Sequence, residues 1–236
     1  MSDAFTFILD GREVEAHPGE TILAAADRAG IWIPRLCSME GLEPWGACRV
    51  CTVTVNGRPQ SACTQPASPG IVVENATDRL RKMRTQLIEM LFVEGNHYCM
   101  VCEKSGACEL QALAYRFGIL APSLDYQFPS RDVDASHPDV LLDRNRCILC
   151  ARCVRASRQK DGKHVFGFTG RGAAKKITVD SSAGLGDTPI SATDKAVEAC
   201  PVGCIIRKRQ GYRIPVGRRK FDSVPIGSDV EGEARP

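Results

Sequence analysis

Twelve cysteines stand in the chain beside four histidines, and the cysteine spacings fall into three groups. The tightest is "RCILCARC", in which Cys147, Cys150 and Cys153 are separated by two residues each. Two such gaps in succession let three thiolates reach three corners of a cubane from one short loop, the core of the bacterial [4Fe–4S] run. A zinc site instead joins one C-x2-C to a distant second pair. In the bacterial run the cysteine before proline ligates the other cluster, and "ACPVG" supplies Cys200-Pro201. Cys147, Cys150, Cys153 and Cys200 are therefore expected to hold one [4Fe–4S] cluster.

Cys37, Cys48, Cys51 and Cys63 form a second group, C-x10-C-x2-C-x11-C. Plant-type [2Fe–2S] ferredoxins read C-x4-C-x2-C with a distant fourth cysteine, so the x2 pair is kept and the first gap is longer. In both, a loop wraps a rhombic cluster while a strand end brings the last thiolate. Gly46, within "PWGACRVC", suits a backbone that passes close to inorganic sulfide. C-x2-C also occurs in zinc sites; the strand pattern around these four cysteines favours [2Fe–2S].

The third group lies in "NHYCMVCEKSGAC", where Cys99, Cys102 and Cys108 leave a four-coordinate site one ligand short. His97 is one candidate, because imidazole ligates iron in Rieske centres. Cys204, four residues beyond Cys200, is the other, although it also reads as a small buried hydrophobe beside a cluster loop. Spacing leaves both open. His17 and His137 precede prolines in expected turns and His164 begins an expected strand; none belongs to a ligand group.

The elements that must position these groups follow from pattern. "AFTFILDGREVEA" is two alternating runs joined by Asp10-Gly11, a hairpin signal. "GETILAAADRAG" reads as a short helix opened near Thr21 and stopped by Gly30. "VCTVTVNGRPQSAC" gives a second hairpin around Asn56-Gly57 and "GIVVE" a last strand, which is the order of a β-grasp. From Thr77, Leu80, Met83, Leu87, Met90 and Leu91 recur at helical spacing. "GACELQALAYRFG" reads as another helix, with Ser105 as N-cap and Gly118 as its stop, so the third cysteine group sits between two helices. "HVFGFTGRG" and "KKITV" read as strands, "SATDKAVEAC" as a helix, and the stretch from Gly211 as loop or tail. The expected fold class is α+β: an N-terminal β-grasp [2Fe–2S] ferredoxin-like domain (1–76), a short helical His/Cys3 cluster segment (77–120), a linker (121–142), a C-terminal [4Fe–4S] ferredoxin-like domain (143–210) and a basic C-terminal tail (211–236).

Composition bounds the function. The N-terminus lacks a basic region followed by an apolar one, and no apolar run is long enough for a transmembrane helix, so a cytoplasmic chain with no membrane span is expected. In that compartment so many thiols point to metal rather than disulfides. Residues 1–76 hold five Lys/Arg against nine Asp/Glu, a net of −4, so the whole-chain +3 leaves +7 for residues 77–236. "RKRQGYRIPVGRRK" carries seven basic residues in fourteen. No recognised nucleic-acid module accompanies it, so a solvated tail or an arm for an acidic partner is the expectation, and nucleic acid is not. No G-x-G-x-x-G and no G-x-x-x-x-G-K-[ST] is present, and "GFTGRG" fits neither. Two-electron chemistry on this chain is not expected; a relay of single electrons is.

The order β-grasp cluster, His/Cys3 segment, then "CILCARCVR…CPVG" resembles the N-terminal part of the large iron–sulfur subunit of respiratory complex I and the accessory region of iron-only hydrogenases. "EGNHYCMVCEKSGACELQALAYRFGI" and "WGACRVCTV" are most similar to the small diaphorase subunit of soluble NAD-reducing nickel–iron hydrogenases, over about residues 1–215, and the length fits a subunit that stops after these clusters. The resemblance implies one [2Fe–2S] cluster on Cys37, Cys48, Cys51 and Cys63 and two [4Fe–4S] clusters, the middle one on His97, Cys99, Cys102 and Cys108. The complex I relatives read H-x3-C where this chain has His97-x-Cys99. They carry a small apolar residue where Cys204 stands, which leaves Cys204 unligated. FMN and NAD are implied only on partner subunits: a flavin- and NAD-binding diaphorase subunit on one side, the small and large nickel–iron hydrogenase subunits on the other. The implied role is an electron-transfer subunit of a complex catalysing H2 + NAD+ ⇌ H+ + NADH, with no complete active site in this chain. The alternatives are the equivalent subunit of an NAD-dependent formate dehydrogenase or of complex I and, from another class, a zinc-stabilised nucleic-acid-binding protein.

Overall fold

The computed structural model describes residues 4–232; residues 1–3 of the first expected unit and 233–236 of the basic tail lie outside the described residues. The chain opens with β1 (Phe5–Leu9) and β2 (Arg12–Ala16), paired antiparallel from Phe5↔Ala16 to Leu9↔Arg12. Asp10 and Gly11 turn between them at φ 48° and 78°, the left-handed pair that a tight hairpin needs. Helix α1 (Ile22–Arg28) follows, its first turn closed by the Thr21 hydroxyl accepting from the Ala24 N–H. β3 (Thr52–Val55) and β4 (Arg58–Ser61) form the second hairpin around Asn56-Gly57, and β5 (Val72–Glu74) completes the sheet. The strand order is β2-β1-β5-β3-β4, with β1 and β5 parallel and the other neighbours antiparallel. Alternate residues Phe7, Leu9, Val14, Ala16, Val53 and Val73 point inward with Ile22, Leu23, Ala25 and Ala26 of α1, making the β-grasp core.

Helix α2 (Asp78–Val93) is capped by Thr77, but the face it buries is Leu80, Arg84, Ile88 and Phe92 rather than the row through Met83, Leu87 and Met90. A charge turns the helix. Arg84 donates to the carbonyls of Thr52 (2.7 Å) and Asn75 (2.9 Å) and to the Asn75 side-chain oxygen (2.7 Å), docking α2 against β3. Burial pulls the Arg84 pKa down to about 10, which leaves it charged at neutral pH. Helix α3 (Glu109–Arg116) begins after Cys108, which is its N-cap; Ser105, expected in that place, instead bonds the Gln111 side chain.

In residues 121–142, which read as a linker, β6 (Val133–Asp134) and the start of β7 (Val140–Asp143) form part of a three-stranded sheet of order β10-β7-β6. The pairing escaped pattern reading because two- and four-residue strands carry no measurable period. Helix α4 (Arg152–Gln159), the hairpin β8 (Phe166–Thr169) and β9 (Lys176–Val179), the one-turn helix α5 (Lys195–Glu198) and β10 (Ile205–Arg207) complete this part.

The stretch from Gly211 is loop, ending in the short helix α6 (Ser228–Glu231); residues 212–218 are exposed, but the stretch is pinned to the rest of the chain at several points. Tyr212 donates to the Val101 carbonyl (2.8 Å), the Phe221 N–H to Gly106 (2.8 Å) and Arg219 to Ser105 (3.2 Å). Glu231 then accepts two 2.7 Å bonds from Arg116, whose guanidinium lies 4.6 Å from the Trp32 ring. The arm thus crosses the His/Cys3 segment and ends on the N-terminal unit. Much of the basic charge before it is also engaged, with Arg207 and Lys208 donating to backbone carbonyls.

Arg84→Met leaves three buried acceptors without their donor and is expected to cost about 2–4 kcal/mol. Thermal unfolding of the cluster-loaded chain by circular dichroism measures this; an unchanged midpoint would refute the docking role.

Candidate metal centres

The loop after α1 carries Cys37 and Cys48, the turn into β3 carries Cys51, and Cys63 follows β4. The Cys48 sulfur accepts the Cys37 N–H at 3.4 Å. Cys37 lies within hydrogen-bonding reach of Cys48 and Cys63, and Cys51 within reach of Cys63. Those bonds pull the Cys37 thiol far down and bring Cys51 to about 7, while Cys48 and Cys63 rise as the partners that keep the shared protons. The four thiols thus form one contiguous group, Cys48–Cys37–Cys63–Cys51, a set that suits two irons with two thiolates each. Gly46 holds φ 69°, and a Cβ there would stand 3.1 Å from the Thr64 methyl, so backbone conformation and Thr64 both demand glycine.

Cys147 and Cys150 lie on the loop into α4 and Cys153 in its first turn; in the loop Leu149 (φ 53°) and Ala151 (φ 59°) take left-handed conformations. Such strain gathers where a backbone must wrap a site. The Leu149 N–H donates to the Cys147 sulfur at 3.4 Å. Cys200 follows α5. Burial pushes the Cys150 thiol up to about 12. Cys204, 3% exposed, faces Cys147 and Cys200. It lies with this group and not among the residues around Cys99.

That other pocket is lined by His97, Cys99, Cys102 and Cys108 with Phe92, Gln111, Arg146 and Gly203. The His97 ring packs edge-on to Phe92, with centroids 5.6 Å apart, and lies within reach of donating to the Leu91 carbonyl. Its Nε2 is buried with no hydrogen-bond partner. Burial, reinforced by the charge of Arg146, pushes its pKa down to about 4, so at neutral pH it is the neutral imidazole that binds metal. An orphaned buried nitrogen sharing a pocket with three thiols fits an iron–sulfur cluster. Among the described residues no three His, Cys, Asp or Glu side chains close around a single metal-ion position.

The three groups are not ordered in space as in sequence. Arg155 of α4 donates to the carbonyls of Cys37 and Cys150, and Arg152 donates to the Ser38 carbonyl (2.7 Å). On the other side the Glu109 N–H bonds the Pro201 carbonyl (2.9 Å), the Asn96 N–H bonds Asn145 (2.8 Å), and a Cβ on Gly203 would stand 2.7 Å from the Cys102 sulfur. The Cys147 group therefore lies between the other two. His17, His137 and His164 join none of them; His137 bonds backbone groups at Asp139, Val140 and Ile190.

The sequence reading found the cysteines but missed the arginines. Arg146, Arg152 and Arg155 sit beside cysteines in "RCILCARCVR", and only the density of charge next to apolar ligand loops could have marked them.

A β-grasp carrying four cysteines and two further cysteine-rich sites defines an iron–sulfur electron carrier. Residues 2–78 match the 2Fe-2S iron-sulfur cluster binding domain, residues 84–122 the NADH-ubiquinone oxidoreductase-G iron-sulfur binding region, and residues 140–206 a 4Fe-4S single cluster domain. The chain is 41% identical over 227 residues to the gamma subunit of the NAD-reducing hydrogenase HoxS of Cupriavidus necator, covering 95% of this chain and 97% of that one. It is 34% identical over 210 residues to the alpha subunit of the NADPH-Fe(3+) oxidoreductase of Geobacter sulfurreducens, covering 87% of this chain but 24% of that protein. A chain in the crystal structure of an NAD+-reducing [NiFe]-hydrogenase in the H2-reduced state superposes with a TM-score of 0.92 at 48% identity, covering 96% of this chain and 98% of that one. The chain belongs to the family of gamma subunits of NAD-reducing hydrogenases. It contains 2Fe-2S and 4Fe-4S binding domains. Among the described residues no helix is long and apolar enough to cross a membrane.

Gly95 leaves room for the imidazole: a Cβ there would stand 2.5 Å from His97 Nε2 and 2.7 Å from Cδ2. Gly95→Ala is expected to displace the ring and lower the iron content of the anaerobically purified protein by up to four atoms per chain. Full iron with an unaltered EPR spectrum would mean that the ring is not held there.

Proposed function

We propose that the chain relays single electrons through three clusters between a hydrogenase module and a flavin subunit that reduces NAD, within a complex catalysing H2 + NAD+ ⇌ H+ + NADH. Cys37, Cys48, Cys51 and Cys63 would hold a [2Fe–2S] cluster; Cys147, Cys150, Cys153 and Cys200 a [4Fe–4S] cluster; His97, Cys99, Cys102 and Cys108 a second one. When bound, the clusters supply one-electron transfer at potentials set by charge, hydrogen bonds and exposure. The chain's own residues fix the distances between sites and exclude water from the sulfurs. They bind no FMN or NAD, and the catalytic sites belong to the partners: the diaphorase subunit and the small and large nickel–iron subunits. The units 1–76, 77–120 and 143–210 would each carry one cluster. A cytoplasmic complex without membrane spans accords with this role.

The observation that carries the reading is the orphaned His97 Nε2 beside three cysteines, in a chain with near full-length likeness to the HoxS gamma subunit. Anaerobic purification of the native complex tests it. About ten irons per chain are expected, with matching sulfide, together with a flavin subunit and a nickel–iron large subunit. Stoichiometric zinc without sulfide, or a molybdenum enzyme in place of the nickel subunit, would refute it. His97→Cys is expected to keep its cluster and lower that midpoint, because a thiolate adds negative charge. An unchanged midpoint and EPR signal would return His97 to a bystander.

A further inference from the structure

Arg146 precedes Cys147, so its backbone leads directly into the ligand loop of the central group. Its side chain points the other way. Nη1 donates to the Cys102 sulfur at 3.7 Å and to the Gly203 carbonyl at 3.5 Å, and the residue lines the pocket with His97, Cys99 and Cys108. Nε is held by Asp143 at 2.9 Å. Asp143 is itself fixed by the backbone and side-chain amides of Asn145 (3.0 and 2.9 Å) and by its own N–H on the Cys204 carbonyl (2.7 Å). Asn145 accepts the Asn96 N–H through its carbonyl, so the turn over residues 144–146 grips the His97 loop at two points.

The other sulfur contacts differ in kind. The Cys48 and Cys147 sulfurs receive neutral backbone N–H groups. Arg152 and Arg155 approach the Cys37 and Cys147 groups but bond carbonyls and a carboxylate. Among the described residues Arg146 is the one cationic side chain with a hydrogen bond to a cysteine sulfur. Adding an electron to a cluster places negative charge on its sulfurs. A charge-assisted donor aimed at one of them favours the reduced state over the oxidised one, and more strongly where the pair is partly buried. Neutral His97 in place of a thiolate acts with the same sign.

We propose that Arg146 raises the reduction potential of the cluster held by His97, Cys99, Cys102 and Cys108 above the value its ligands alone would give. The inference rests on the ligand set given under Proposed function. It makes Arg146 a positioning residue, acting through Cys102 rather than on any substrate.

The test is EPR-monitored redox titration of the native complex carrying Arg146→Gln or Arg146→Lys, with iron and sulfide counted in each. The cluster in question is the one whose signal changes in His97→Cys. Glutamine removes the charge and is expected to lower that midpoint by about 59 mV, a tenfold loss in the one-electron equilibrium, while the other two midpoints hold. Lysine keeps the charge but falls short of the sulfur, so its midpoint should lie between. An unchanged midpoint in a fully loaded Gln variant overturns the proposal, as does a shift confined to the Cys147 cluster. Should Gln fail to retain the cluster, Lys decides: a wild-type midpoint overturns the proposal and a lowered one supports it. Failure of the ligand set is seen separately, as irons missing from the wild-type chain or a spectrum indifferent to His97→Cys.

Discussion

Two buried guanidinium groups, one turn apart on α4, hold the three cysteine groups in one body. Arg152 forms a two-pronged pair with Glu109 at 2.8 and 2.8 Å while reaching the Ser38 carbonyl, and Arg155 spans the carbonyls of Cys37, Glu43 and Cys150. Taking a guanidinium out of water costs several kcal/mol, which only good geometry and further hydrogen bonds offset. Here the acceptors come from three separate stretches of chain, so each bond that offsets the cost also fixes one stretch against another. A lysine in either place would supply the charge without the planar fork that serves three acceptors at once.

The same arrangement decides which group lies centrally. Helix α4 springs from the Cys147 loop, and its arginines face the Cys37 group, while Arg146 at the other end of that loop faces Cys102. A loop only seven residues long from Cys147 to Cys153 therefore addresses both neighbours. The stretch that is intermediate in sequence, with His97, is terminal in space. For a relay this matters more than sequence order, because an electron moves between the centres that lie closest.

Much of this architecture was legible in the residues. The Asp10-Gly11 and Asn56-Gly57 turns, the helix start near Thr21 and the C-x2-C loops are local, and each depends on neighbours a few residues away. What pattern could not supply was pairing over distance. Arg155 meets Cys37 across 118 residues, and Arg84 meets Thr52 across 32. A periodicity count treats both arginines as solvent-facing, which is why the α2 face was misjudged. Ser105 failed as a cap for a related reason: the Gly106 N–H and Ser105 hydroxyl both turn to Gln111, so the helix starts three residues later. The C-terminal arm hid behind its charge, although Tyr212, Phe221 and Ile226 gave it groups with which to dock.

The arm also bears on how the parts depend on one another. The β-grasp has a five-stranded sheet and its own apolar core, and its cysteine loop leans in addition on Arg152 and Arg155. The stretch from Cys99 to Val101 is a single turn with no buried residue. Its order comes from outside: Asn145 on Asn96, Arg152 on Glu109, Tyr212 on Val101, and the arm on Ser105 and Gly106. A segment held by its neighbours and by the metal it binds couples loading to folding, since the ligands gain their geometry only as those contacts form. The site with the unusual imidazole is thus the one whose shape depends most on the rest of the chain, and an arm that crosses it before ending on Arg116 and Trp32 closes the circuit back to the first unit.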